Sequence, residues 1–569
     1  MRAVHQNLGK RTAPAKAADA RTAAKARILA GRAAARQTAL LVALLLAAFL
    51  QEFCSLSYLT ASADEPAHLP AGYTYWKTGD FRLNPEHPPF IKLLSSLPTF
   101  LFMDPVVKWD DPSWTKDPPE QTTFGVHFLY SNHADEMLFW GRVPIVLLSI
   151  LLGYFVFRWA SELYGRRAGL AALFLYAFCP NILAHSRFVT MDLGLTCFFF
   201  LTVYWLWRFS REGRIRNLVF AGVAMGLALA TKFSAVILVP LLPALLALAA
   251  LRPRPQNPSG APGPARLVAF PEVRGTGPRL LLAGRACAIV IVVAFTLVWA
   301  IFFFPRDPLF YVKGMTLVNA NHHPEYWLYL AGKFQQGGFW YYFLAAFFFK
   351  TPAPTILLLL TSLALLGVAP RPKWRDEGFL LLPAALFFVI TSALASNVGV
   401  RYILPVFPLL FVFISRLTDF FLARRARTAV AGALAAWLAF STVRVFPDYV
   451  PYFTDFVGGS KNGYKYLDDS NLDWGTDLKR LKTWMDEHGV EKINLYTPYS
   501  VLPGYYGIKF NWYEFMRKDP PPPGLYAVGT QILVRGLIAA KMERLPTDWL
   551  VRYKPIDRVG QGFFIYRIE

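Results

Sequence analysis

The sequence predicts an α-helical polytopic membrane protein that ends in a small α/β domain. Of its 569 residues 55% are hydrophobic and only 17% charged, a balance too apolar for a chain with an ordinary water-facing surface. Apolar runs long enough to cross hydrocarbon, which takes roughly 20 residues each, recur from Ala39 through Phe446. Beyond Pro447 they give way to an amphipathic helical pattern and short strand-like runs.

Residues 1 to 36 carry nine Lys and Arg against the single acid Asp19 and read as a basic cytoplasmic tail. About eleven spans follow, near 39 to 59, 143 to 159, 168 to 184, 190 to 207, 217 to 231, 233 to 251, 280 to 304, 352 to 369, 378 to 395, 402 to 421 and 428 to 446. Between them lie basic clusters at Arg166-Arg167, Arg208 to Arg216, Arg252 to Arg285, Arg371 to Arg375 and Arg424 to Arg427. Short basic loops between apolar runs are retained on the cytoplasmic side during insertion. Residues 60 to 141, 305 to 350 and 448 to 569 are therefore expected on the extracytoplasmic side of a plasma (inner) membrane. The net charge of +22 points to this topology and not to nucleic acid, because no soluble basic domain hosts such a partner. The first span followed by Ala61-Ser62-Ala63 also resembles a signal peptide with a cleavage site. Its leader is too long for an ordinary n-region, so the segment is expected to stay as a span.

In the first outer loop, residues 66 to 77 and 88 to 102 mix aromatic and polar residues as short interfacial helices do. Residues 252 to 279 are rich in Pro, Gly and Arg and read as a cytoplasmic linker. After the last span, residues 477 to 487 place Leu478, Leu481, Trp484 and Met485 on one helical face, with Gly489 as the stop. Strands are expected at 492 to 496, 526 to 528 and 563 to 568, completing the C-terminal α/β domain. Cys54, Cys179, Cys197 and Cys287 all lie in or at the ends of apolar segments, which implies neither a disulfide framework nor a Cys-based zinc site.

The polar chemistry gathers on the outer face. Asp64-Glu65 follows the first span, and Asn84-Pro-Glu86-His87-Pro-Pro89 comes about twenty residues later. Next are Gly141-Arg142-Val-Pro144, Thr190-Met-Asp192, Gly337-Gly-Phe-Trp340-Tyr341-Tyr342-Phe343, Lys350-Thr-Pro352, Gly399-Val-Arg401-Tyr402 and Asp468-Asp-Ser-Asn-Leu-Asp-Trp-Gly475. In this order the motifs resemble the protein O-mannosyltransferase and aminoarabinose-transferase group, glycosyltransferase family 39, over most of residues 37 to 510.

The resemblance implies a GT-C fold and inverting transfer of a sugar from a polyprenyl-phosphate carrier to an acceptor hydroxyl of protein, lipid or glycan. A carrier phosphate is already a good leaving group, so a base for the acceptor is needed but no strong general acid. By similarity the base is Asp64, with Glu65 beside it. Arg142, Lys232, Lys350 and Arg401 sit at expected outer span ends, where a cation meets a membrane-embedded phosphate or snorkels to headgroups. Glu86, His87, Asp192, Trp340, Tyr341 and Tyr402 complete the expected substrate contacts, although an N-cap explains Asp192 and an interfacial aromatic belt Trp340 and Tyr341 equally well. Asp473-Trp474-Gly475 is read as a turn leading into the following helix.

No cofactor is required by this chemistry. A divalent cation stays open, since Asp64 and His68 are four apart and His87, His322 and His323 are also expected outside. Transport of lipid-linked sugars is the weaker alternative, because a transporter needs ionisable groups at bilayer depth. Transfer of a whole oligosaccharide is another. The eukaryotic members' β-trefoil insertion is missing here, which leaves the acceptor open.

Overall fold

A computed structural model describes residues 13–250, 273, 275–320, 327–367, 374–497, 500–512, 521–541 and 552–569. The expected linker, His322 and His323 fall largely or wholly outside these residues, as does the start of the basic tail. Each of the eleven expected spans overlaps helix among the described residues. Among the described residues seven helices are long and apolar enough to cross a membrane: Gly31–Tyr58, Ala134–Tyr164, Met191–Glu212, Phe233–Ala250, Gly277–Ile301, Trp374–Leu394 and Arg425–Val443. The pair Tyr342–Lys350 and Ala353–Ala364, bent by 117°, makes an eighth if it counts as one span. The remaining segments are short or interrupted: Arg166–Ala177 is followed by Pro180–His185, Ile215–Leu229 stops early, and Val406–Ile414 is followed by two brief turns.

Helix Met191–Glu212 runs through the middle and is buried over nearly its whole length. Its Phe198, Phe199, Phe200, Tyr204 and Trp207 join one continuous apolar core with Trp159, Tyr176 and Phe411. The outer helices instead turn large apolar side chains outward, among them Leu46, Leu147, Val292 and Phe440. Such a surface suits lipid and not water. The chain is thus a multi-pass membrane protein.

Two ends of the bundle differ in chemistry. At one end Arg208 pairs with Glu162, the Trp207 indole donates to Asp376, and Arg416 meets Glu377. At the other end lie the first loop, the 305–350 region and the C-terminal domain, joined by contacts such as Ala331 N–H to Tyr466 O and Thr454 N–H to Phe349 O.

In the first loop the two expected helices form as Glu65–Thr78 and Phe90–Phe102, and Pro112–Thr115 and Gln121–Tyr130 are added. They pack very closely. A Cβ at Gly72 would lie 2.0 Å from Lys92 O, and one at Gly125 would lie 1.6 Å from Pro66 O. Only glycine allows these backbones to approach so near.

The C-terminal domain is a five-stranded mixed sheet in the order 510–512, 493–496, 524–529, 563–568, 557–559. Strand Ile493–Tyr496 is parallel to both of its neighbours, while Phe563–Ile568 runs antiparallel to Gly524–Gly529. Helix Leu478–Glu487 buries Leu478, Leu481 and Met485 against it, as the amphipathic pattern requires. The strands Phe510–Trp512 and Asp557–Val559 and the helix Thr530–Lys541 were not expected from the pattern.

Candidate active site

Asp64 is the N-cap of helix Glu65–Thr78, so its side chain stands at the point where the first span turns into the loop. Its Oδ2 accepts from Arg401 Nη1 at 2.8 Å. The same guanidinium nitrogen lies 3.8 Å from Asp192 Oδ2, and Asp192 Oδ1 accepts from Lys232 Nζ at 2.7 Å. Carboxylates and cations therefore alternate along one row: Asp64, Arg401, Asp192, Lys232. The row lines a cavity of about 330 Å³ shared with His68, Glu86, His87, Asn84, Gln121 and Tyr402. Lys232 Nζ also lies 4.5 Å from the centre of the Tyr402 ring.

Local sequence explains why these side chains converge. Asp192 opens the central helix, where a carboxylate meets the positive end of the helix dipole. Phe90 N–H donates to Ala230 O at 2.9 Å, so the turn before helix Phe90–Phe102 is fixed to the chain just ahead of Lys232. The turn from Asn84 to Pro89 is built around the fully buried Lys92. Its ammonium donates to Asn84 O at 2.5 Å, Asn84 Oδ1 at 2.9 Å, His87 O at 2.7 Å and the Tyr75 hydroxyl at 3.0 Å. Burial drives its pKa well below the ordinary lysine value. Gln121 donates to Glu86 at 2.8 Å and pairs with Asn84, which gives Glu86 one fixed edge.

The imidazoles of His68 and His87 face each other with centroids 5.9 Å apart. Burial lowers both pKa values, His87 far below the usual range, and nearby Lys232 lowers His87 further. Burial thus disfavours the charged form of both rings. His68 Nδ1 lies 2.7 Å from Val189 O, so Nδ1 carries a hydrogen and donates it.

Five residues expected at the site lie outside the cavity: Glu65, Arg142, Lys350, Trp340 and Tyr341. Arg142, expected to meet a carrier phosphate, is 1% exposed. It forms a two-pronged pair with Glu65, Nε to Oε1 at 2.8 Å and Nη2 to Oε2 at 2.6 Å, and donates to Thr60 O at 2.8 Å. Glu65 is saturated as well: it accepts from Ser62 N–H at 2.8 Å and Val189 N–H at 3.0 Å. In this arrangement the buried pair holds the loop together, and neither Glu65, expected beside the base, nor Arg142, expected at the carrier phosphate, lines the cavity. Lys350 is also buried, donating to Val450 O at 2.6 Å and Asn471 O at 2.8 Å. Trp340 is 81% exposed and outside the cavity, and Tyr341 packs on the apolar core.

Lys92 and Gln121 escaped the sequence reading. A lone Lys in an apolar helix looks like a snorkelling residue, and only the Pro-rich turn eight positions before it hints that carbonyls need a donor. Asp473-Trp474 does lead into helix Leu478–Glu487, but Trp474 also lies with its ring centre 4.6 Å from the Arg401 guanidinium carbon. Among the described residues no group of three or more His, Cys, Asp or Glu is arranged to hold a metal ion.

Residues 134–259 match the family model for dolichyl-phosphate-mannose-protein mannosyltransferases. No curated protein matches the chain in sequence. Among solved structures, ArnT from Cupriavidus metallidurans bound to undecaprenyl phosphate is 14% identical over 93% of this chain and 98% of its own, with a TM-score of 0.46. The Saccharomyces cerevisiae protein O-mannosyltransferase Pmt1–Pmt2 complex bound to the sugar donor is 16% identical over 47% of this chain and 33% of its own, at 0.30. The Archaeoglobus fulgidus oligosaccharyltransferase AglB, in complex with an inhibitory peptide and a dolichol-phosphate, is 15% identical over 82% and 58%, at 0.40.

Proposed function

We propose, from the premise that the chain is a membrane glycosyltransferase of the kind its matched segment describes, that it moves a sugar from a polyprenyl-phosphate carrier to an acceptor hydroxyl, with inversion, on the extracytoplasmic face. The observation that carries this reading is the row Asp64, Arg401, Asp192, Lys232 along one cavity at the loop end of the bundle. A phosphate at the hydrocarbon boundary lacks full hydration, and two cations there hold it and gain strength as charge develops on the leaving oxygen. Arg401 supplies a planar fork of donors and Lys232 a point charge.

Each group has one task in this account. Asp64 takes the proton from the acceptor hydroxyl, whose oxygen forms the new bond at the anomeric carbon. The bond from that carbon to the phosphate oxygen breaks, and its electron pair leaves with the carrier phosphate. Asp192 stands between Lys232 and Arg401 and offsets the repulsion between the two cations. Glu86, fixed by Gln121, faces the same cavity. Phosphate arriving at Arg401 competes with Asp64 for the guanidinium, which loosens the 2.8 Å pair and frees the carboxylate to act as base.

Purified protein in detergent should release polyprenyl phosphate from an undecaprenyl-phosphate sugar and show no turnover with the matching nucleotide sugar. Turnover with the nucleotide sugar, or none with a panel of undecaprenyl-phosphate sugars, would overturn the reading.

A further inference from the structure

The stretch 470–476 of the C-terminal domain grips both loops that carry the reacting pair. On one side Trp474 O accepts Ala63 N–H at 2.8 Å, Thr476 O accepts Thr60 N–H at 3.2 Å, and Gly475 O accepts the Thr60 hydroxyl at 3.0 Å. On the other side Asn471 Oδ1 accepts Val400 N–H at 3.0 Å, and the Ser470 hydroxyl donates to Val398 O at 2.7 Å. Asn471 is itself fixed, its amide donating to the Tyr342 hydroxyl at 2.9 Å and its backbone carbonyl accepting from Lys350 at 2.8 Å. Ala63 precedes Asp64 and Val400 precedes Arg401. Two residues 337 positions apart meet because a third stretch holds the neighbour of each.

Trp474 makes a second contact, to Arg401 itself. Its ring centre lies 4.6 Å from the guanidinium carbon, and the residue is only 4% exposed. His185 and Phe188 hold the indole edge-on, with ring centres 5.6 and 5.3 Å away. A guanidinium over an indole face is held by the ring's quadrupole while its N–H groups stay free at the edges. Without that face Arg401 has a competing partner in Asp192, already 3.8 Å away.

We infer that Trp474 is a positioning residue: the C-terminal domain supplies its indole to hold the Arg401 guanidinium where it reaches both Asp64 and a carrier phosphate. The inference rests on the proposed roles of Asp64 and Arg401, and on the two-sided grip of 470–476. The domain thereby completes a cavity whose charged lining groups, Asp64, Glu86, Asp192, Lys232 and Arg401, lie in the membrane half and its first loop, and its own Asp469 lies near enough to act on Asp64 and Arg401.

A double-mutant cycle on the full chain in detergent tests it, using Trp474→Ala, Arg401→Gln, the double variant, and Trp474→Phe as the conservative control. The readouts are the dissociation constant for undecaprenyl phosphate and the thermal unfolding midpoint. Trp474→Ala should weaken carrier binding about tenfold, and Trp474→Phe should retain most of it. The double variant should bind no worse than Arg401→Gln alone, and its midpoint should fall by less than the sum of the single losses. A Trp474→Ala loss that persists in full on top of Arg401→Gln would overturn the inference. If the wild type binds no undecaprenyl phosphate, the functional reading fails. The thermal cycle then decides the position of Trp474 alone, non-additive losses keeping it and additive losses removing it. Should Trp474→Ala fail to fold, Trp474→Leu, which keeps bulk without the π face, replaces it in the same cycle.

Discussion

Asp64 and Glu65 are adjacent, yet their carboxylates serve different partners. Asp64 turns into the cavity and meets Arg401, whereas Glu65 turns inward and closes on Arg142 with both oxygens. The two arginines differ in the same way. Removing one partner of a buried pair leaves an uncompensated charge and costs about 3–5 kcal/mol. Arg142→Gln should therefore lower the thermal midpoint severely, while Arg401→Gln should leave the protein folded and weaken carrier binding. Unfolding scans of the two variants in one detergent check this, and equal midpoints would reverse the assignment. Sequence could not separate the two arginines. Both sit at an expected outer span end in a matched motif, and the difference is only that Glu65 and Thr60 come within reach of one of them.

At the scale of elements, the first loop works as three helices pressed together without side chains at their crossings. Helix Gln121–Tyr130 lies on helix Glu65–Thr78 through Gly125, where a Cβ would meet Pro66 O at 1.6 Å. Gly125→Ala forces the two apart, and overpacking of this kind costs about 1–3 kcal/mol. It should also reduce turnover, because the same displacement moves Gln121 from Glu86 and the N-terminal turn that bears Asp64. A lower midpoint together with reduced turnover is the expected result, and unchanged values for both would refute the close packing. These helices were only half legible. Residues 66 to 77 and 88 to 102 carry helical composition, but Gln121–Tyr130 is only 10 residues long and its apolar face is limited to Phe124, Phe128 and Leu129. In the C-terminal domain the helix and three strands could be read from period, whereas Phe510–Trp512 and Asp557–Val559 are three residues each, too short for any alternation to register.

At the scale of the whole molecule, charge alternation predicts loops on two sides, and the described residues of 60–141, 305–350 and 448–569 lie at one end of the bundle. What alternation could not give is that the short or broken segments near 168–184 and 402–421 are largely buried, the first mainly against helix Ala134–Tyr164 and the second mainly against helix Trp374–Leu394. Tertiary packing, not hydrocarbon length, sets their extent. With the basic loops cytoplasmic, reporter fusions at Glu569 should give an extracytoplasmic signal and fusions in the loop near Arg214 a cytoplasmic one. The reverse pattern would move the site to the wrong side for a carrier-linked donor.

The central claim is that Asp64 is the base of a transfer from a polyprenyl-phosphate sugar, and one comparison tests it most directly. Wild type and Asp64→Asn, both purified and folded, are assayed for release of undecaprenyl phosphate from undecaprenyl-phosphate sugars, with carrier binding measured alongside. The amide keeps an oxygen for Arg401 but cannot take the acceptor's proton. Turnover should therefore fall by about a hundredfold to ten-thousandfold while carrier binding changes little. Near-normal turnover in a folded Asp64→Asn variant would contradict the account and move the base to another group in the cavity, with Glu86 the first to examine.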